Sequence, residues 1–420
     1  MSSTIAVEKL RVGMFIQLEG GWLSHPFPLS SFRIVGEDQI AALRRLGLRE
    51  LRWVPERSLL SDSDSGSSPV AAAATPEKKA SATLPAQQRR LDLQTQRELI
   101  QHCERQHADA AKSWREAFDG VAASPEEAAR GAQSLTQAML DNMLEAQEIG
   151  VRLVAGGGDR AAAHALNVGI ISLLIARTLG LPPNELLDLG VGALLHDVGK
   201  TEVADRFRHA EEGFSSNEMN AYRDHVDKGL VLGRRMGLSA AALSVLAQHH
   251  EHADGSGFPL HRGGESLSRG ARIVALVNRY DNLCNPQART LSLTPHEAIS
   301  VLFSQGRQRF DAVVLNAFIR MMGVYPAGSL VQLTDDRFGL VVGVNSSRPL
   351  KPRVLVYEPK LPRSEALVMD LERTSNLGIR RSLPANKLPT AAIDFLDPRP
   401  RVTYYFEPLL SPEPGEESGR

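Results

Sequence analysis

Apolar and polar positions alternate in three different ways along this chain, and the changes mark its parts. The run from Val12 to Leu18 predicts a strand entered through Gly13. Gln39 to Leu46 predicts a short amphipathic helix, and Leu51-Arg52-Trp53-Val54-Pro55 a closing strand, with aromatics and Pro26 between Trp22 and Phe27. Residues 1–60 therefore read as a small α+β module. From Ser61 to Pro85 only Val70 and Leu84 are large and apolar, in a background of Ser, Ala, Asp, Pro and Gly, so 61–90 read as a flexible linker. Residues 91–148 are polar and helical in pattern without a sustained heptad. They read as a helical connector leading into the next domain, with a dimerising or signal-transmitting helix as the rival reading.

From 149 to 325 the helical period repeats. Ala161 to Leu179 predicts one helix stopped by Gly180, and Pro183-Asn184-Glu185 opens another that runs into His196-Asp197 and stops near Gly199. Ser239 to His250 and Gly270 to Leu283 continue the pattern, which makes 149–325 an all-α domain. The period then changes. Ser329 to Leu333, Phe338 to Val344 and Arg353 to Tyr357 are β-rich runs separated by turn residues, which predicts a β-rich C-terminal module over 326–408 and a disordered tail over 409–420. The fold class is thus multidomain, with the helical domain in the centre.

Composition narrows the function classes. The chain has 420 residues, 42% of them hydrophobic, so it can bury substantial cores. Its net charge of −1 supplies no global field toward a nucleic-acid polymer or an anionic membrane, and a polyanionic ligand must be held by a local site. Two cysteines, Cys103 and Cys284, make no disulfide framework and fit a reducing compartment. Met1-Ser2-Ser3-Thr4 has no signal-peptide character. The most apolar stretch, Val168 to Ala176, is short of the roughly 20 residues of a membrane helix, so a cytoplasmic location is expected.

The candidate chemistry lies in His164, His196-Asp197, His225 and His249-His250. Singly each has a plainer reading: a core or capping histidine, a helix-end pair, a polar surface cluster. Six such groups in order through one helical domain point instead to divalent ions such as Fe, Mn or Zn, and the lack of cysteine ligands argues against a structural zinc finger. An aspartate can bridge two ions, and two ions roughly 3.5–4 Å apart activate a bridging water and clamp an in-line phosphoryl displacement. His209, His252 and His261 are left as ordinary polar residues. Gly255-Ser256-Gly257 has no strand before it and is no phosphate loop.

Residues 164–291 resemble the HD-GYP domain, a subgroup of the HD superfamily of metal-dependent phosphohydrolases that degrades the bacterial messenger cyclic di-GMP. The matching residues are His164, Leu195-His196-Asp197-Val198-Gly199-Lys200, His225 with Gly229, and His249-His250-Glu251. They continue with Asp254-Gly255-Ser256-Gly257-Phe258-Pro259 and Ala271-Arg272-Ile273-Val274-Ala275-Leu276. Val12-Gly13-Met14, Trp22 and Pro26-Phe27 resemble a small module of unknown function that often precedes such domains, and the β-rich region resembles one that often follows them. The resemblance implies two divalent ions (Fe, Mn or similar) held by His164, His196, Asp197, His225, His249 and His250, with Asp197 as the bridge. Lys200 would stabilise charge on the phosphate, although a lysine beside Asp197 could equally be its ion-pair partner, and Gly257, Phe258 and Pro259 would line the substrate pocket. Cyclic di-GMP is the implied partner and linear pGpG or GMP the product. A diguanylate cyclase-type or other signalling protein and a homodimer are further expected partners.

Four positions depart from the family pattern. Asn278 stands where an aspartate ligand is usual, and its amide oxygen is a weaker ligand; Asp281, three residues on, is expected to be structural or capping. Phe258 replaces the tyrosine of the name motif. Gln287 stands where an arginine is usual, with Arg289 near enough to substitute as a phosphate contact. Arg160 replaces the glutamate of three-metal members. Asn278 and Gln287 carry the alternative reading: a degenerate domain that senses cyclic di-GMP or serves as a protein-interaction module.

Overall fold

The computed structural model describes residues 3–17, 31–34, 40, 43–44, 50–55, 58, 86–146, 148–156, 158–210, 213–288, 291–305, 308–345, 348, 350–374 and 377–409. The chain divides into two compact units, Met1–Thr83 and Leu84–Arg420. The aromatic run from Trp22 to Phe27, the linker stretch 61–85, Arg289 and the tail 410–420 lie outside the described residues.

In the first unit, β1 (Ser3–Ala6), β2 (Phe15–Gln17), β3 (Ser31–Arg33) and β4 (Glu50–Trp53) form an antiparallel sheet in the order β1-β4-β2-β3. Val7, Leu10, Met14, Ile16, Ile34, Ile40, Leu43 and Leu51 make its core. The predicted strands near 12–18 and 51–55 are present as β2 and β4.

The second unit begins with two helices, α1 (Ala86–Gly120) and α2 (Pro125–Glu145), so residues 86–90, assigned to the linker by composition, are helical. Strand β5 (Glu148–Leu153) follows. Residues 149–153 therefore do not belong to an all-α segment; Ile149 and Val151 are buried in a sheet. Next come α3 (Arg160–Thr178), α4 (Pro183–Leu195), α5 (Ser216–Arg235), α6 (Ala240–Gln248), α7 (Arg269–Cys284), α8 (Pro295–Gln305) and α9 (Ala312–Met322). Helix α3 starts where the Asp159 carboxylate accepts from the amides of Ala161 and Ala162. It is apolar on nearly every face because α4, α7, α9 and α1 all pack on it. It is long and apolar enough to cross a membrane, yet most of it is buried inside this fold, as expected of a core helix.

The C-terminal region is β-rich as predicted, but its sheet recruits β5. The strand path is β10 (Ile379–Ser382), β6 (Leu330–Leu333), β7 (Phe338–Asn345), β5, β11 (Tyr404–Leu409), with β8 (Arg353–Val356) on β7 and β9 (Val368–Asp370) on β8. Within it, Glu407 is buried between Arg152 (2.9 Å) and Arg353 (2.6 Å), a fixed charge cluster joining β5, β8 and β11.

The segment entering β11 docks behind the helical core. The Asn167 side chain on α3 donates to the Val402 carbonyl and accepts from the Tyr404 amide, and Asn285 makes a matching pair of bonds with Val402. The Tyr280 and Tyr404 hydroxyls meet at 2.8 Å. These contacts brace the region from which His164 projects.

Candidate metal centre

The HD pair sits where α4 ends. Leu194 and Leu195 bury the last turn, His196 caps the helix, and a 3-10 turn over Val198–Glu202 follows Asp197. That turn passes α5 backbone to backbone: a Cβ on Gly199 would lie 1.9 Å from the His225 carbonyl oxygen and 2.4 Å from the Gly229 nitrogen. The glycines of the two motifs thus let α5 approach closely enough to set His225 beside Asp197.

All six candidate ligands converge, in two groups that share one residue. His164, His196 and Asp197 offer donor atoms within 4.8 Å of one another, and so do Asp197, His225, His249 and His250. Asp197 Oδ2 faces His164 Nε2 (3.7 Å) and His196 Nε2 (3.4 Å), while Oδ1 faces His225 Nε2 (3.6 Å) and His249 Nε2 (3.8 Å). Donors around an ion with bonds of about 2.1 Å stand roughly 3.0–3.4 Å apart, close to this spacing.

Hydrogen bonds behind the histidines fix which nitrogen is free. The Nδ1 of His196, His225 and His249 lies 2.7, 2.5 and 2.9 Å from the carbonyl oxygens of Ala193, Tyr222 and Leu246. His164 Nδ1 lies 2.6 Å from Asp281 Oδ2. Each Nδ1 therefore carries the proton and each Nε2 presents a bare lone pair. Yet the Nε2 atoms of His164 and His196 are 3.2 Å apart, and those of His225 and His249 are 3.3 Å apart. Asp197 Oδ1 is buried and meets no hydrogen-bond partner among the described residues. Facing lone pairs and an orphaned carboxylate oxygen repel one another until a cation sits between them, so the residues fit metal binding.

Protonation agrees with this. Burial pushes the His225 imidazole down to about 4 and those of His249 and His250 well below the ordinary value, so they are neutral near pH 7, the form a metal ligand needs. Burial alone would raise the Asp197 carboxyl, but Lys200 and His196 hold it well below the usual range. Lys200 Nζ is 2.6 Å from Asp197 Oδ2, the ion pair that the lysine's position allowed.

The remaining predicted residues divide. Phe258 stacks on the His250 ring at 4.4 Å, and Glu251 holds the loop by accepting from the amides of Leu260 and Arg262. Gly257 passes so close to the 250–252 backbone that a Cβ there would lie 2.4 Å from the His250 carbonyl oxygen. Pro259 follows Phe258 through a cis peptide bond. Asn278 is buried, and its Oδ1 accepts from Asn282 Nδ2 at 2.6 Å. Asp281 does more than cap: its carboxylate takes His164, Asn167 and Asn285 together.

A cavity of about 540 Å³ opens on His164, His196, Asp197 and Lys200. It brings in groups outside the candidate ligand set. His209 lines it, so that residue is not an ordinary surface histidine, and burial lowers its imidazole to about 4. Gln287 and Arg160 line it as well, as do Trp114 and Phe118 from α1. Tyr222, also missed, places its hydroxyl 3.3 Å from His250 Nε2. The four-residue spacing of Trp114 and Phe118 was the only sign of the α1 contribution.

Comparison with known proteins agrees with this geometry. Residues 2–132 match a domain of unknown function, DUF3391, and residues 146–314 match the HD domain. The first match runs past residue 60, through α1 and into α2. The cyclic di-GMP phosphodiesterase PA4108 of Pseudomonas aeruginosa is 30% identical over 384 residues, covering 89% of this chain and 90% of that protein. The cyclic di-GMP phosphodiesterase response regulator RpfG of Xanthomonas campestris is 28% identical over 45% of this chain and 52% of its own length. A 3'3'-cGAMP-specific phosphodiesterase 2 of Vibrio cholerae is 28% identical over 36% of this chain and 29% of its own. With its HD-domain match, its converging histidines and a relative matched over nearly the whole chain, this protein belongs to the HD-GYP group of the HD superfamily and carries DUF3391 at its N-terminal end.

Proposed function

We propose that the chain hydrolyses cyclic di-GMP to linear pGpG, and onward to GMP, as a phosphodiesterase dependent on two divalent ions. Asp197 carries this reading: one carboxylate, with each oxygen facing its own set of histidines. His164 and His196 would hold one ion, His225, His249 and His250 the other, and Asp197 both. When bound, such ions supply an activated water and neutralise a phosphodiester. The choice of cyclic di-GMP rests on the long match to the Pseudomonas relative.

The chain's own residues prepare the rest. Hydrolysis forms a P–O bond from water, breaks the P–O3′ bond and leaves a proton on O3′. Lys200, at the cavity wall beside Asp197, turns its Nζ hydrogen bond to a phosphoryl oxygen as charge collects there. Asp281 keeps the His164 proton on Nδ1. Tyr222 keeps its phenolic proton, because burial raises its pKa, and the hydroxyl steadies His250. We attribute weaker holding of one ion to Asn278, a neutral amide whose oxygen already accepts from Asn282.

The test is turnover of cyclic di-GMP by the Mn- or Fe-loaded chain, with products resolved by chromatography beside an Asp197→Ala control and a parallel 3'3'-cGAMP assay. Turnover no greater than the control sinks the enzyme reading. Binding without turnover, together with turnover gained in Asn278→Asp, would make the wild type a sensor.

A further inference from the structure

The cavity beside His164 is lined by more than the candidate ligands. Its volume of about 540 Å³ lies within the range of roughly 300–1,000 Å³ common to small-molecule sites. Part of its wall is made by residues with no part in the ligand set: Arg160 at the start of α3, and Phe118 and Asp119 at the end of α1.

Arg160 is short of a partner. Its Nη2 donates to the Asn285 carbonyl at 3.3 Å, while Nη1 is buried and meets no acceptor among the described residues. The neighbouring carboxylates are engaged elsewhere: Asp159 caps α3 and pairs with Arg115 at 2.5 Å, and Asp281 binds His164, Asn167 and Asn285. A buried guanidinium N–H without an acceptor is costly and is relieved by an anion, most readily a phosphate oxygen. Gln287 faces the same cavity and brings no charge.

Phe118 offers a flat apolar wall. One face stacks on Trp114 at 4.5 Å between centroids, and Trp114 is anchored by donating from Nε1 to the Leu194 carbonyl at 2.8 Å. The pair is thereby fixed to the end of α4, two residues from His196. Asp119 adds an exposed carboxylate on the same cavity. A carboxylate accepts from the N1–H and N2 amine of guanine, an edge that adenine lacks.

We propose that this wall is a half-site for the part of a cyclic purine dinucleotide that is not being cleaved: Arg160 binds its phosphate, Phe118 stacks on its base and Asp119 selects guanine. The half-site rests on the phosphodiesterase reading for the identity of the ligand. It gives α1, within the region that matches DUF3391, a direct part in substrate choice.

The experiment measures kcat/KM of the full metal-loaded chain on cyclic di-GMP and on bis(p-nitrophenyl) phosphate, a diester with no second half. Arg160→Gln and Phe118→Leu each lower the ratio of the two by about tenfold or more, the scale of losing one stacked base or one phosphate contact. Asp119→Asn narrows the preference for cyclic di-GMP over cyclic di-AMP by about fivefold. A folding defect lowers both activities and leaves the ratio in place. A ratio within threefold of wild type in both Arg160→Gln and Phe118→Leu overturns the half-site alone. Wild-type cleavage of the generic diester without cleavage of cyclic di-GMP overturns the substrate reading and the half-site together.

Discussion

Replacing Asp281 by asparagine tests how the centre is held together. The carboxylate is 1% exposed and accepts three hydrogen bonds, from His164 Nδ1 at 2.6 Å, Asn167 Nδ2 at 2.7 Å and Asn285 Nδ2 at 2.9 Å. An amide of the same shape cannot accept all three. If its oxygen faces His164, its NH2 meets two other NH2 groups. If its NH2 faces His164, the imidazole proton must move to Nε2, the atom that would bind the ion. Losing such an outer partner lowers metal affinity about 10–100-fold, which is about 1.4–2.7 kcal/mol. The loss falls on the His164–His196 side, because no bond joins Asp281 to His225, His249 or His250 among the described residues. Mn titration followed by calorimetry, with bound metal counted by mass spectrometry, should show one site weakened and the other within about threefold of wild type. Equal weakening of both sites, or of neither, would refute the reasoning.

Other consequences are sharp enough to measure. Gly199→Ala places a methyl 1.9 Å from the His225 carbonyl oxygen, so α5 and the HD turn must separate; bound metal and turnover should both fall by about tenfold or more, read by metal analysis and the cyclic di-GMP assay. Glu407→Gln leaves Arg152 and Arg353 without their buried counter-charge and should cost about 3–5 kcal/mol in urea unfolding. His107 is buried, and burial lowers its imidazole to about 4 against an unfolded value near 6.5. Its contribution is fully present above pH 6.5 and is lost as pH falls toward 4, because the unfolded chain takes up the proton first. His107→Leu should therefore flatten the urea midpoint over that interval, and an unchanged slope would contradict the assignment.

The convergence of the candidate histidines was legible in part because three stand beside a local signal, a helix end for His196 and His249 and a close-packing glycine for His225. The function of Asp281 was not, since its partner His164 lies on another helix and only the packing of α3 against α7 brings them together. The cavity wall from α1 was hidden for the same reason: Trp114 and Phe118 read as a helix face whose neighbour no pattern names. The sheet shows the clearest miss. Residues 149–153 read as the start of the all-α domain, but 148–153 pair with 404–409 at the far end of the chain, a partnership with no local trace. That pairing matters for the site, because the segment from Val402 to Tyr404 holds the asparagines that hold Asp281.

The central proposal is that Asp197 would help hold both of two divalent ions. Metal content of the purified chain, saturated with Mn and then desalted, tests it most directly beside Asp197→Ala. The account predicts two equivalents in the wild type and loss of both in the variant, since each group of histidines then lacks the carboxylate that the two groups share. One equivalent or none in the wild type, or undiminished metal in Asp197→Ala, would contradict it.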